Sequence, residues 1–374
     1  MLAQILNIEA KAEAHVSAVR PSDFTVSQGE TCDPSILLQN PSLSLYCLDF
    51  ETHQALFVET PTDCDLTRAP FLYMAQREHA QRLIGIPFET LHQLADQVTI
   101  DPSRLILIYS IGRCGSTLLS TAFSAVEGVE SLSEPDIFTQ MIGTWGADDL
   151  DGENKRRLLR SCTLLQCLPG QIRGATAWAL KFRSRVTEMW PLFYAAFPEA
   201  KVVFLYRHAE PWARSFHRIM GAPDPTATMP LDELRNMFGH LTQRLESLEM
   251  ASPLEILTSY WLAPMEGCLA MQRNGIPAFV MRYEELSRAP KEVFSQLLTF
   301  CGLEAHTVRD LDAVLARDAQ EGSQLSRESL ANTTAHLAPE HLETLRRLIR
   351  ENSPELAADT ILPGTYLPLQ SQPN

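Results

Sequence analysis

Apolar residues follow two rhythms along this chain. From residue 104 onward, near-continuous apolar runs recur at 104–109 (RLILIY), 177–182 (AWALKF), 201–206 (KVVFLY) and 276–283 (IPAFVMRY), with a shorter one at 128–133 (GVESLS). Between them, 155–168, 186–197 and 254–275 have the spacing of helices. Such runs, alternating with helices, predict a mostly parallel sheet covered on both faces, a three-layer α/β fold. Before residue 100 the rhythm differs. There 43–50 (LSLYCLDF) and 55–61 (ALFVETP), separated by 51–54 (ETHQ), predict a hairpin. The segments 71–85 and 88–98 predict helices divided at Ile86-Pro87. The chain thus divides into an N-terminal extension over 1–100 that acts as a covering element, an α/β body over 101–345, and a tail over 346–374 that hugs the surface or frays.

In sheets of this kind ligands sit at the carboxyl ends of the strands. The run 105–109 feeds the loop Gly112-Arg113-Cys114-Gly115-Ser116-Thr117 and then a helix-like LLSTAF. Strand, glycine loop and helix start make an anion cradle. Gly115 lets backbone N–H groups close on a phosphate, and the helix N-terminus adds partial positive charge. Arg113 supplies a permanent cation, and Ser116 and Thr117 supply hydroxyls. The loop is not G-x-x-x-x-G-K-S/T, so it predicts a phosphate-like anion without predicting a nucleoside triphosphate. Cys114 sits where a thiol pKa would fall, but no base lies beside it in sequence, and it reads as a spacer.

The run 201–206 ends in Arg207, with Ser215 eight residues later and Pro211 between them. A metal-binding strand of the nucleoside-triphosphatase kind would end in Asp; Arg suits a phosphate better. Pro211 marks a first helical turn, which lets Arg207 and Ser215 meet at one phosphate. Taken alone, the two read equally as a surface arginine beside a helical serine.

The net charge of −15 leaves no basic field for nucleic acid or an anionic membrane, and neither is expected as a partner. An anionic ligand then needs a local positive pocket, which Arg113 begins. Residues 1–15 have too short an apolar run for a secretory signal and reach Glu9 and Glu13 early. No apolar segment approaches a membrane span, and a cytoplasmic location is expected. The eight cysteines form no C-x-x-C, and the ten histidines do not join them at zinc spacing, so reduced thiols and no metal are expected.

The GRCGST loop and YRHAEPWARSF (206–216) together resemble the sulfotransferase family, whose donor is 3′-phosphoadenosine 5′-phosphosulfate (PAPS). The resemblance runs over roughly 104–300 and implies a P-loop-like α/β architecture. It implies that Gly112, Arg113, Cys114, Gly115, Ser116 and Thr117 grip the 5′-phosphosulfate, and that Arg207 with Ser215 grips the 3′-phosphate. MRYEEL (281–286) is similar to the family's Y-E-x-L segment, which implies Tyr283 near the adenine. Arg113 stands where the cytosolic small-molecule branch has Lys. In that respect the loop resembles the tyrosylprotein, carbohydrate and bacterial branches. Arg cannot donate a proton but neutralises charge building on the leaving phosphate.

By the same resemblance Glu134, in SLSEPDIF, is the base that deprotonates the acceptor, and Lys181 contacts the transferring sulfonate. Without the family, Glu134 reads as a first-turn helix residue between a Ser133 cap and Pro135, and Lys181 as a solvated strand end. No R-K-G segment occurs near the C-terminus, and Arg327 is the candidate closing contact, otherwise a surface arginine. The usual Pro after the second-motif Arg is displaced to 211. Arg183 and Arg185 follow Lys181 without an assigned place, and His208, His217, Trp212 and Phe216 read as packing residues. The expected activity is metal-free sulfonate transfer to an acceptor hydroxyl. Alternatives are a P-loop kinase acting on a small molecule, or a silent nucleotide-binding member. The acceptor pocket is expected to draw on 1–100, 136–176 and 219–235.

Overall fold

The computed structural model describes residues 2–13, 18–145, 152–238, 243–321, 326, 328–331 and 337–368. The N-terminal part forms an antiparallel sheet of β1 (Ala3–Lys11), β2 (Phe24–Cys32), β3 (Leu43–Asp49), β4 (Gln54–Glu59) and β5 (Arg82–Pro87), in the order β2-β1-β5-β4-β3. The predicted hairpin is β3–β4. Two expectations are corrected here. The helix predicted over 71–85 is α1 (Leu72–His79) followed by β5. Leu83, Ile84 and Ile86 form a short apolar run of either type. Pairing with β1 on one side and β4 on the other decides for strand, because it satisfies the backbone groups of 82–87 on both edges. Also, the sequence reading assigned no element to β1 and β2; Leu6 to Lys11 does alternate apolar with polar and Leu6 and Ile8 pack on the core, but both strands lie mostly at the surface. The helix α2 (Phe88–Ala95) follows as expected.

The second sheet contains β6 (Leu105–Ser110), β7 (Val129–Ser133), β8 (Ala177–Lys181), β9 (Lys201–Tyr206) and β10 (Ala278–Arg282), all parallel, in the order β10-β9-β6-β8-β7. All five runs predicted as strands are strands, and the fold is the expected three-layer α/β architecture with an N-terminal antiparallel extension. The connections are α3 (Ser116–Ser124), α4 (Ile137–Trp145), α5 (Glu153–Ile172), α6 (Trp190–Ala196), α7 (Ala209–Ile219) and α8 (Pro253–Arg273). The register sets Ser133 opposite Lys181, Lys181 opposite Ile108, and Arg282 opposite Tyr206. The strands therefore discharge their chains along one edge, where the chemistry-bearing residues of the sequence lie.

Polar contacts join the extension to this edge. The Gln140 carboxamide of α4 accepts from Leu48 N–H at 2.8 Å and donates to Leu48 O at 2.6 Å, and Val19 N–H donates to Asp136 at 2.9 Å. The described part of the predicted tail packs against the body. A helix over Pro339–Asn352 spans its start, and Tyr366 N–H donates to Val280 O at 2.8 Å on the edge strand β10.

Candidate active site

The loop after β6 uses left-handed backbone at Gly112 (φ 68°), Arg113 (φ 49°) and Gly115 (φ 86°). At Gly115 a Cβ would also meet Tyr283 Cδ2 at 2.9 Å, so glycine is required both by conformation and by the ring lying against it. Trp212, fully buried on α7, donates through Nε1 to Gly112 O at 2.9 Å and fastens the loop from below. Ser116 and Thr117 open α3, whose free N–H groups face the loop. The side chain of Cys114 turns inward, its Sγ 3.3 Å from Leu205 O. Burial pushes its thiol up to about 11, which removes the reactive-thiol alternative and leaves the residue as packing beneath the loop.

A cavity of about 290 Å³ opens against this loop, lined by Gly115, Ser116, Thr117, Arg207, Ser215 and Tyr283 among others. Arg207 and Ser215 are brought together there, as their spacing predicted. Arg207 stacks over the Tyr283 ring at 4.6 Å. Its Nε is buried without a hydrogen-bond acceptor among the described residues, and Glu284 lies 4.0 Å away. Arg113 joins them. Its Nε donates to Ser215 Oγ at 3.2 Å, and its Nη1 to Gln320 Oε1 at 2.6 Å. Arg218, one turn beyond Ser215, lines the same cavity. Burial, and next the Arg207 charge, hold the Arg113 guanidinium below its ordinary value, with Arg218 adding to the repulsion. Three mutually repelling guanidinium groups, one with a buried unpaired Nε, fit an anionic ligand carrying more than one negative group.

A second cavity of about 280 Å³ shares Arg113, Ser116, Thr117 and Gln320 with the first and extends to Glu134 and Lys181. The Lys181 ammonium, 4% exposed at the end of β8, donates to Glu134 Oε1 at 2.5 Å. Glu134 is not a first-turn helix residue. Its backbone is left-handed (φ 59°), its N–H donates to Lys181 O at 2.6 Å, and α4 begins only at Ile137. Ser133 Oγ donates to Pro70 O at 2.7 Å and caps nothing. Arg183 lies 3.4 Å from Glu134 Oε2, 2.9 Å from Asp136 Oδ1, and over the Tyr73 ring at 4.5 Å. Burial by itself would lower the Arg183 guanidinium, but Asp136, Tyr73 and Glu134 raise it above its usual range. Burial lifts Asp136 to about 6 against the pull of Arg183.

The remaining wall of this cavity is largely apolar, with Phe71, Met74, Phe216, Ile219, Met220 and Tyr260. Phe71 and Met74 come from the extension and Ile219 and Met220 from the end of α7, partly as expected. Arg327 lies outside the described residues, and the C-terminal side chain that reaches Arg113 is Gln320. Sequence reading missed Gln320, Arg218 and the role of Trp212. Arg218 carried a faint signal, a cation one helical turn beyond Ser215, and Gln320 carried none. His208 meets Arg282 at 2.7 Å and His217 meets Pro223 O at 2.8 Å, and no histidine occurs among the described residues lining either cavity. No helix among the described residues is long and apolar enough to cross a membrane.

Residues 182–305 match a family model described as "Sulfotransferase domain". The matched span contains Arg207, Ser215 and Tyr283, while the loop, Glu134 and Lys181 precede it. The match bears out the sulfotransferase resemblance over 182–305, a span that holds the second motif and not the glycine loop. No curated protein matches the chain. Among solved structures, the chain is similar to a sulfotransferase from Alicyclobacillus acidocaldarius at 14% identity and TM-score 0.40, covering 67% of this chain and 92% of that one. It is similar to sulfotransferase STF9 from Mycobacterium avium at 11% identity and TM-score 0.44, with coverages of 74% and 82%. It is also similar to retinol dehydratase, solved with androsterone and the inactive cofactor PAP, at 11% identity and TM-score 0.32, with coverages of 75% and 89%.

Proposed function

We propose, from a chain whose residues 182–305 match a sulfotransferase domain, that it transfers a sulfonate from PAPS to the hydroxyl of an uncharged, largely apolar acceptor. The observation that carries this reading is the junction of two cavities at the loop, one bearing Arg113, Arg207 and Ser215 and the other Glu134 and Lys181. A donor bound in the first supplies a sulfur whose bond to the 5′-phosphate oxygen breaks as the acceptor oxygen bonds to it. Gly112 to Thr117 hold the 5′ end through backbone N–H groups, and Arg207 with Ser215 holds the 3′-phosphate beside Tyr283, which faces the adenine. Glu134 takes the acceptor proton. Lys181, within hydrogen-bond reach of Glu134, follows the charge on the sulfonate oxygens, and Arg113 neutralises what gathers on the leaving phosphate.

The acceptor's character follows from which charges are already matched. Glu134 meets Lys181, Arg183 meets Asp136, and Arg185 meets Glu188 at 3.0 Å, so apart from Arg113 at the donor end the acceptor cavity offers apolar wall rather than spare charge. Thermal shift with PAPS, its desulfonated product 3′-phosphoadenosine 5′-phosphate and Mg-ATP tests the donor. Stabilisation by the two 3′-phosphorylated ligands, together with turnover on apolar alcohols or phenols but not on sugar phosphates, supports the reading. Strong stabilisation by Mg-ATP alone overturns it in favour of a kinase, and product binding with no turnover leaves a silent binding protein.

A further inference from the structure

We propose that Gln320 is a positioning residue, which aims Arg113 at the point where the two cavities meet and does so without cancelling its charge. This rests on the functional reading above. An arginine has five N–H donors, and two of those on Arg113 are taken, Nε by Ser215 Oγ at 3.2 Å and one on Nη1 by Gln320 Oε1 at 2.6 Å. These two acceptors lie 105 positions apart in the chain and grip opposite ends of the same fork. The three remaining N–H groups meet no acceptor among the described residues and can serve a ligand. Arg113 and Gln320 each line both cavities, so the clamp lies in the wall between donor and acceptor. Gln320 is itself held, since its N–H donates to Asp318 Oδ1 at 3.1 Å and Glu321 N–H donates to Asp318 O at 3.0 Å, a tight turn that presents the carboxamide.

The choice of a carboxamide has a chemical consequence. A carboxylate at 320 would accept the same hydrogen bond but place a negative charge beside the phosphosulfate and neutralise Arg113. A carboxamide orients the guanidinium without adding a second negative charge to that of Asp318, which lines the same cavity and already acts on Arg113. Lysine at 113 cannot be gripped at two nitrogens, so the device depends on Arg113.

The test compares Q320A, Q320E, R113K and the double variant R113K/Q320A, each checked by thermal melting. For each, the transfer rate at saturating donor and acceptor is measured, together with calorimetric affinity for 3′-phosphoadenosine 5′-phosphate. Expected for Q320A is a loss of about tenfold to a hundredfold in rate with product affinity within about threefold, the signature of a misaimed group. Q320E is expected to lose product affinity as well, by about tenfold or more. In the R113K background Q320A is expected to add little, because Gln320 acts only through Arg113. Equal, additive losses from Q320A in both backgrounds would overturn the proposal, as would a Q320E variant binding product like the parent. If the unaltered chain neither binds the product nor transfers sulfonate, the functional reading fails instead.

Discussion

At Glu134 the backbone holds φ at 59°, and at Arg113 at 49°, conformations that cost a non-glycine residue on the order of 1–3 kcal/mol each. Arg113 lines both cavities and Glu134 the second, and tertiary contacts hold each of them. Glu134 is fixed by its N–H to Lys181 O and by its carboxylate to Lys181 Nζ, and Arg113 by Ser215 and Gln320. Replacing Glu134 by Gln is expected to reduce turnover by at least a hundredfold while product binding persists, because the proton acceptor is removed, and with it a charged partner of Lys181 and Arg183, while the first cavity is left as it is. Single-turnover rates alongside calorimetry check this, and near-parental turnover would remove Glu134 from the role of base. Arg207→Ala is expected to weaken binding of 3′-phosphoadenosine 5′-phosphate by about 1.5–3 kcal/mol, the range for a charge-assisted hydrogen bond, and to leave adenosine 5′-phosphate nearly unaffected. Equal losses for both ligands would place Arg207 elsewhere on the nucleotide.

The element that organises the site is the turn from β6 into α3, and it depends on contacts from two other elements. Tyr283 lies against Gly115 from the end of β10, and Trp212 ties Gly112 O from α7. Gly115→Ala must therefore push a Cβ into the Tyr283 ring in a backbone conformation unfavourable to alanine. The expected result is a loss of about 1–3 kcal/mol in stability and a larger loss of donor affinity, because Tyr283 also carries Arg207. Urea denaturation and product titration measure the two effects separately. Unchanged donor affinity would mean that the ring moves aside without disturbing Arg207.

Across the whole molecule, the antiparallel extension supplies part of the wall of the second cavity, through Phe71 and Met74, and closes over a buried ionic group. Asp136, with its carboxyl lifted to about 6 by burial, accepts from Val19 N–H and meets Arg183, which lies over Tyr73. The folded chain thus holds this proton more tightly than the unfolded one, whose aspartate titrates near 4. The contribution of Asp136 to stability is greatest on the acid side and is lost as pH rises from about 4 through 6, by roughly 2–3 kcal/mol. Urea midpoints of the parent and Asp136→Asn between pH 4.5 and 7 are expected to diverge, with the parent losing ground as pH rises. Parallel curves would show that Asp136 does not titrate there. The sequence by itself determined the five parallel strands, the glycine loop, the placing of Arg207, Glu134 and Lys181 at strand ends, and that of Ser215 on the helix that follows Arg207. A parallel strand buried on both faces is apolar throughout, and the residues just after it are delivered to the ligand edge by register alone. Only the tertiary structure decided that 82–87 is a strand and that β1 and β2 join its sheet, since a short run that fits more than one element is settled by its pairing partners. It alone brought Gln320 to Arg113, Trp212 to Gly112, and Phe71 and Met74 to the acceptor cavity. Those contacts join residues far apart in the chain, and no local pattern of side chains encodes them.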